Sequence, residues 1–398
     1  MNKIVITAAT IIAAWPGLSS GASAQEEVRI GVITTLTTPA AVIGRELQDG
    51  INLAAEHVGG AIAGKKIKLI FEDDGFNPDL GRQKTDKLIR QDNVDFITGY
   101  IWSNVLLASR RSAVDSGKIL ISANAAPADI AGKLCHPNLY AMRGQGDVMP
   151  MALGEELNRR GIKTVYTMAP NYAAGKDVVA GFQRTFKGKI AGQDFTRWGS
   201  DPQLDFSAEF AKAAASGAEA LFAFYPGRAS AFMKQFEQSG LKEKLKLFTV
   251  YTVDQIALPS LQEAEVNSAL GSVVADYWYP DLEVAENKRF VQDFKAKFGR
   301  TPSNYAAAAY DAIPYIKAAV EAVNGNLSDR AGIRQALEKA EFKSVRGQFV
   351  QGPNHMPLDN YYALEVATGS DGKWNLKPVA TILEKAADPY AGECKMSR

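Results

Sequence analysis

The chain of 398 residues contains little of the material from which metal sites and nucleophilic active sites are built. It has three histidines and two cysteines, and it contains neither a GxSxG nucleophile elbow nor an HExxH zinc-binding pattern. Residues 59–66 read GGAIAGKK, but a helical pattern precedes this loop, whereas a phosphate-binding loop follows a strand. We therefore expect no cofactor, no metal ion and no enzymatic activity.

An excess of charge of either sign is also missing. The chain has 45 basic and 44 acidic residues, a formal net charge of +1, with no block of like charge. Proteins that bind nucleic acids usually carry a strong basic surface, so we expect no nucleic-acid partner. The hydrophobic share of 46% and the charged share of 22% are typical of a globular protein, and the length suits two domains.

The first 24 residues have the features of a secretory signal peptide. Lys3 precedes an apolar run over residues 4–15, and Ala22-Ser23-Ala24 forms a small-residue cleavage site. The alternative is a membrane anchor, but the run is short against the ~20 residues that a membrane helix needs. The sequence thus predicts an exported protein.

Export changes the interpretation of the two cysteines. In an oxidising compartment a lone pair usually forms a disulfide, so we predict a bond between Cys135 and Cys394. This bond would tie the C-terminal tail to the first half of the chain. Two free buried thiols are the alternative.

Most of the remaining chain alternates between strand and helix patterns. Two such runs cover about residues 28–142 and 147–276, and three helical stretches follow after Tyr279-Pro280. Alternation of this length predicts parallel sheets covered by helices on both faces. Arg143-Gly144-Gln145-Gly146 lies between the runs and is predicted to be a crossover. The sequence therefore predicts an α/β protein with two lobes around a cleft.

The loops at the carboxyl ends of the strands are the expected ligand site, because open α/β sheets bind ligands there. Ser103 stands where a helix begins, so its hydroxyl and the nearby backbone N–H groups could hold a carboxylate. Trp102, Tyr172 and Tyr225 could enclose an apolar or aromatic body. The alternative is that Ser103 only caps its helix and the rings complete the lobe cores.

Five stretches of the chain stand out in this order: GVITTLTTPAAVIGRELQDGINLAAEHVGG, DNVDFITGYIWSNVLLA, ISANAAPADIAGKLC, MAPNYAAGKDVVAGF and TPSNYAAAAYDA. Through these stretches, which keep the family order, residues 28–382 resemble the type I periplasmic binding proteins of branched-chain amino acid ABC transporters. The resemblance implies two parallel-sheet lobes joined by three crossovers, with a ligand clamped between them. It also matches the family's binding positions to Ser103, Ala125 and Tyr172.

The resemblance implies how the chain is divided. Lobe 1 would comprise residues 25–143 and about 279–345. Lobe 2 would comprise residues 144–278 and about 346–385, and residues 386–398 would form the tail. The implied function is that of a periplasmic, monomeric receptor that delivers a small solute to an inner-membrane ABC permease.

The sequence departs from the amino-acid binders of this family at the ligand. Those proteins need an acidic or hydroxyl partner for the substrate ammonium, and Asp254 is the only candidate at a cleft loop. The stretches MAPNYAAGKD and FYPG resemble the subgroup that binds aromatic or other hydrophobic carboxylates. Arg228 after FYPG either pairs with a carboxylate or is solvated. A branched-chain or neutral amino acid is the alternative ligand. The predicted ligand-binding residues are Thr38, Trp102, Ser103, Asn104, Ala125, Tyr172, Tyr225, Arg228 and Asp254.

Overall fold

The computed structural model describes residues 27–199 and 202–396. The predicted signal peptide lies outside the described residues. The described part forms two α/β lobes, each built around one sheet.

The first lobe is built around a sheet of six strands, and its central strands are buried on both faces. The six strands are β1 (Glu27–Thr34), β2 (Ala61–Ile62), β3 (Lys65–Asp73), β4 (Phe96–Gly99), β5 (Ile119–Ser122) and β6 (Leu139–Ala141). Their order in the sheet is β2-β3-β1-β4-β5-β6. Every residue of β4 and β5 is buried, as expected for parallel strands with helices on both sides.

The helices between these strands follow the predicted pattern. They are α1 (Ala41–His57), α2 (Pro78–Arg90), α3 (Ser103–Asp115) and the single turn α4 (Ala128–Ala131). Asn77 caps α2 by accepting hydrogen bonds from the backbone N–H groups of Asp79 and Leu80. Pro78 occupies the first helical position, where its missing N–H leaves no bond unmade.

The second lobe is built around a sheet of seven strands. These are β7 (Thr164–Pro170), β8 (Lys189–Thr196), β9 (Ala220–Ala223), β10 (Lys246–Thr249), β11 (Val273–Asp276), β12 (Tyr361–Thr368) and β13 (Trp374–Leu383). Their order is β13-β12-β11-β10-β9-β7-β8. The accompanying helices are α5 (Val148–Arg159), α6 (Ala173–Thr185), α7 (Ser207–Ala215), α8 (Ala229–Gln238) and α9 (Leu258–Glu263).

Both sheets are mainly parallel, but their edges are not. Strand β2 pairs antiparallel with β3, and β12 pairs antiparallel with both β11 and β13. Only residues 369–373 connect β12 to β13, too few for a parallel connection, which needs a crossover of about a dozen residues or more. The prediction of two parallel sheets therefore holds for the inner strands and needs correction at these edges.

The chain passes between the lobes three times, which confirms the predicted three-crossover fold. The passages lie between β6 and α5, between β11 and α10 (Ala285–Phe298), and between α12 (Arg330–Lys339) and β12. The helices α10 and α11 (Asn304–Ala322) pack on α1, and α12 packs on α11, so this segment belongs to the first lobe. The lobe boundaries given above stay a prediction.

A buried ion cluster ties two of these passages together. The Arg346 guanidinium contacts Asp311 at 3.1 Å and Asp359 at 2.9 Å, and all three side chains are at most 8% exposed. Asp359 also accepts a hydrogen bond of 2.7 Å from the backbone N–H of Gly144. The third passage is therefore fixed both to α11 and to the first passage.

The disulfide between Cys135 and Cys394 is present, which confirms that prediction and excludes two free thiols. The two Cα atoms are 5.7 Å apart and 259 residues apart in sequence. The tail also contacts the second lobe, because the Tyr390 hydroxyl accepts a 3.1 Å hydrogen bond from Arg184 on α6. The tail thus joins both lobes near the crossovers.

Within residues 27–199 and 202–396, no helix is both long enough and apolar enough to cross a bilayer. The same residues contain no group of three or more His, Cys, Asp or Glu side chains placed to hold a metal ion.

Candidate functional site

A small cavity lies between the lobes at the carboxyl ends of the strands. Its volume is about 20 Å³, roughly the space of one water molecule. Sites for organic ligands usually measure about 300–1,000 Å³, so a ligand would require the lobes to separate or side chains to move. The cavity is lined by Ile101, Trp102, Ser103, Asn124, Arg143, Tyr172, Ala174, Phe224, Pro226, Tyr251 and Tyr305.

Four residues in loops at the carboxyl ends of strands have an unusual backbone conformation. Thr38, Phe76, Tyr100 and Tyr251 follow the carboxyl ends of four strands, and all four have φ between 51° and 73°. Positive φ is an outlier for bulky side chains and persists where the surrounding structure enforces it. Such conformations concentrate at ligand sites, and Tyr251 itself lines the cavity.

Two helix N-termini, one from each lobe, meet at the cavity. Trp102 and Ser103 begin α3, and Tyr172 and Ala174 lie at the start of α6. Neither helix has a side-chain cap, so the first-turn N–H groups have no capping acceptor. A helix N-terminus favours an anion, and two at one cavity favour it further.

Arg143 supplies the positive charge of the cavity. It is 6% exposed, its Nε donates to the backbone oxygen of Asn124, and its Nη1 donates to the Gly144 oxygen at 3.2 Å. Its guanidinium lies 5.2 Å from the centre of the Tyr251 ring. Among the described residues it forms no ion pair, although a buried charge is costly unless it is paired. A ligand carboxylate is therefore a suitable counter-ion.

Aromatic rings from both lobes close the cavity on one side. Trp198 of the second lobe lies 5.8 Å from Phe76 and 6.1 Å from Trp102 of the first lobe, and it stacks on Tyr172 at 5.5 Å. The Trp102 indole N–H donates to Thr35 at 2.8 Å, so this residue offers the cavity its ring face rather than a donor.

Two hydrogen bonds also join the lobes near the cavity. The backbone N–H of Ala128 donates to Asp177 at 3.0 Å, and the Asn304 amide donates to Asp276 at 2.7 Å. Burial raises the pKa of each of these two carboxyl groups to about 7.

The structure brings three of the predicted residues together. Trp102, Ser103 and Tyr172 all line the cavity. Ser103 does not cap α3, since the N-cap position belongs to Trp102.

Four predicted residues lie away from the cavity wall. Tyr225 packs with Phe206 and Phe232 in the core of the second lobe, and its hydroxyl accepts a 3.1 Å hydrogen bond from Thr196. Ala125 is buried behind the wall, with its oxygen bonded to the Ser122 hydroxyl at 2.6 Å. Thr38 is exposed in its loop, and Asn104 lies one residue beyond Ser103 on α3.

Arg228 and Asp254 line a different cavity. This second cavity of about 380 Å³ lies between Pro39 and Val42 of the first lobe and α8 and α9 of the second. Asp254 is 5% exposed and accepts hydrogen bonds from the backbone N–H groups of Ile256 and Ala257. Burial raises the pKa of its carboxyl group to about 7.

Five lining residues that carry polar or aromatic groups are absent from the predicted ligand-binding residues. In the sequence, Arg143 is recognisable only as part of a predicted crossover. Because crossovers connect the two lobes, they border the cleft between them, and this position was the signal that could have indicated Arg143 as a site residue. Asn124 and Tyr251 lie in the loops of the predicted residues Ala125 and Asp254, where the choice between neighbouring residues depends on side-chain direction. The five residues are Asn124, Arg143, Phe224, Tyr251 and Tyr305.

Comparison with known proteins agrees with this architecture. Residues 27–373 match the family described as periplasmic binding protein. The chain belongs to this family. Periplasmic binding proteins are non-enzymatic transport components, and this chain is the solute-binding protein of an ABC transporter.

One relative is the Leu/Ile/Val-binding protein homolog 6 of Brucella abortus. It is 25% identical over 402 residues, which cover 98% of this chain and 99% of the relative. Another, the Leu/Ile/Val-binding protein homolog 1 of the same species, is 25% identical and covers 90% of this chain and 95% of the relative.

Solved structures include two similar solute-binding proteins of ABC transporters. One, from R. palustris, is in complex with benzoate; it has a TM-score of 0.85 and 26% identity, and the match covers 93% of this chain and 99% of that chain. The other, from Rhodopseudomonas palustris BisB5, is in complex with 3,4-dihydroxy benzoic acid; it has a TM-score of 0.84 and 27% identity, and covers 91% and 99%.

Proposed function

We propose that this periplasmic binding protein clamps an aromatic or other hydrophobic carboxylate between its lobes and presents it to an inner-membrane permease. The observation that carries this proposal is the charge of the cavity wall. Arg143 is the one charged side chain among its lining residues. Among the described residues it forms no ion pair, and the buried carboxyl groups of Asp359 and Asp177 interact with it only over a longer distance. A monoanion would neutralise this charge.

The shape and composition of the wall support the same ligand class. The flanking helix N-termini favour the carboxylate end, and the rings of Trp102, Tyr172 and Phe224 suit an apolar or aromatic body. The similar proteins of known structure that were solved with benzoate and 3,4-dihydroxy benzoic acid add support.

A branched-chain or neutral amino acid is the competing ligand, and the Leu/Ile/Val-binding homologues favour it. Such a ligand brings an ammonium group, which needs an acidic or other acceptor partner when buried. Asp254, the predicted partner, lines the other cavity. The positive charge of Arg143 at the small cavity between the lobes therefore favours a carboxylate ligand that carries no ammonium group.

Isothermal calorimetry with benzoate and L-leucine, on protein freed of bound ligand by unfolding and refolding, separates these alternatives. We expect heat of binding with benzoate and none with leucine. The reverse result would favour the amino-acid receptor, and binding of neither would reject the proposed ligand class.

Fluorescence tests the clamping itself. Trp198 contacts both lobes, so lobe closure on a ligand should change its emission, and Trp198→Phe should remove most of that change. Trp374→Phe is the matched control, because Trp374 packs within the second lobe. An unchanged signal in Trp198→Phe would contradict closure at this contact.

The proposed location and assembly follow from the family. A periplasmic location agrees with the predicted signal peptide, and the permease partner agrees with the transporter class. That the protein is a monomer that does not bind nucleic acids stays a prediction.

A further inference from the structure

Two polar atoms at the cavity wall are buried without a hydrogen-bond partner. They are Oδ1 of Asn124 and the hydroxyl of Tyr251, whose residues are 6% and 5% exposed. Leaving a buried polar group unpaired costs about 1–3 kcal/mol, so such atoms at a binding cavity indicate a ligand group that pairs with them.

The orientation of the Asn124 amide is fixed by its other end. Its Nδ2 donates to the backbone oxygen of Ile101 at 2.8 Å. Exchanging the two amide atoms would place two acceptors against each other, so Oδ1 is the amide atom without a partner. An amide oxygen only accepts hydrogen bonds, and the missing partner is therefore a donor.

The two residues that carry these atoms both contact Arg143. Arg143 donates to the backbone oxygen of Asn124 on one side and lies over the Tyr251 ring on the other. A carboxylate held by Arg143 cannot itself serve Asn124 Oδ1, because an ionised carboxylate has no proton to donate. A second group on the same ligand can be that donor.

We propose that the ligand is a hydroxylated aromatic acid, whose hydroxyl group donates to Asn124 Oδ1 while its carboxylate pairs with Arg143. The Tyr251 hydroxyl, which can donate or accept, completes the contact to that hydroxyl. This inference rests on the proposed function, since it adds a second polar group to the ligand of the same cavity.

The test compares benzoate with 2-, 3- and 4-hydroxybenzoate by calorimetry on the wild-type protein. We expect at least one hydroxybenzoate to bind about tenfold or more tightly than benzoate, a ratio that corresponds to about 1.4 kcal/mol. Sites that hydrogen-bond a ligand hydroxyl reject analogues without it for this reason. The position of the preferred hydroxyl would locate Asn124 relative to the carboxylate.

Asn124→Ala and Tyr251→Phe identify the residues responsible. In Asn124→Ala the preference should fall to about threefold or less, while Tyr251→Phe should keep part of it, because the Asn124 acceptor remains. The ratio of two ligands on one variant is the measured quantity, so a general weakening of the site cancels.

The outcomes separate this inference from the proposed function. Equal binding of benzoate and all three hydroxybenzoates would overturn the inference, with water then pairing Asn124, but would leave the carboxylate receptor intact. A preference that survives in Asn124→Ala would also overturn it. Failure of every aromatic acid to bind would reject both.

Discussion

Replacement of Arg143 by methionine tests the central electrostatic argument. Methionine keeps an unbranched side chain of similar length but removes the charge and the donors that a carboxylate would use. Truncating one partner of a buried, hydrogen-bonded charge pair costs about 2–5 kcal/mol. The affinity for benzoate should therefore fall by about 30-fold to several thousand-fold, as 1.4 kcal/mol corresponds to a factor of ten.

The stability of the ligand-free variant should change much less. Arg143→Met loses the hydrogen bonds to the Asn124 and Gly144 oxygens, each worth about 1 kcal/mol. The substitution also removes a buried charge that has no ion pair, and this change should raise the free energy of unfolding and offset part of the loss. We expect a thermal midpoint within a few degrees of the wild type, so weaker binding would not reflect unfolding.

Calorimetry on Arg143→Met, Arg143→Lys and Arg228→Met provides the assay. Lysine keeps the charge but not the planar pair of donors, so an intermediate affinity is expected. Arg228→Met is the matched control, since Arg228 lines the second cavity, and its affinity should stay within about threefold of the wild type, a difference below 1 kcal/mol. Wild-type affinity in Arg143→Met would refute the argument, and a loss confined to Arg228→Met would move the carboxylate to the second cavity.

Two further predictions concern stability. Cys135→Ser or reduction should lower the thermal midpoint, because a loop of 259 residues is released and the chain-entropy contribution of so long a loop is up to about 5 kcal/mol; identical melting with and without dithiothreitol would contradict this. Asp254→Asn should change the pH dependence of unfolding. Because the folded pKa of Asp254 is raised to about 7 from its ordinary value of 3.8, the native state holds this proton where the unfolded state has lost it. Its contribution to stability therefore falls as the pH rises from about 4 to 7, by at most about 1.4 kcal/mol per pH unit. Chemical denaturation at pH 4.5, 5.5 and 6.5 should show a flatter profile in the variant, and parallel profiles would reject the assignment.

Most helices and inner strands could be predicted from the sequence, because the apolar periodicity and the helix-start residues that mark them lie close together in the chain. The helix start predicted at Ser103 depends on adjacent residues, and α3 begins there. Strands β12 and β13 were not recognised. Only three of the ten residues of β13 are buried, so it lacks the apolar pattern that marks an inner strand.

The site was only partly predictable. Trp102, Ser103 and Tyr172 could be selected because each stands where a helix follows a strand. Tyr225 also follows a strand, yet its ring turns into the lobe core toward Phe206. Side-chain direction in a loop depends on the residues packed around it, and neighbouring positions in sequence do not reveal it.

The sequence by itself determined the α/β architecture and the membership of the periplasmic binding protein family, since these depend on local periodicity and motif order. It predicted the pairing of the two cysteines, which the folded structure confirmed. The tertiary structure decided which polar groups meet in the cleft. Arg143, Asn124 and Tyr251 come from a crossover and from loops of opposite lobes, far apart in the chain. Whether a buried charge or amide has a partner depends on distances across the closed cleft, and only the folded arrangement of both lobes sets them.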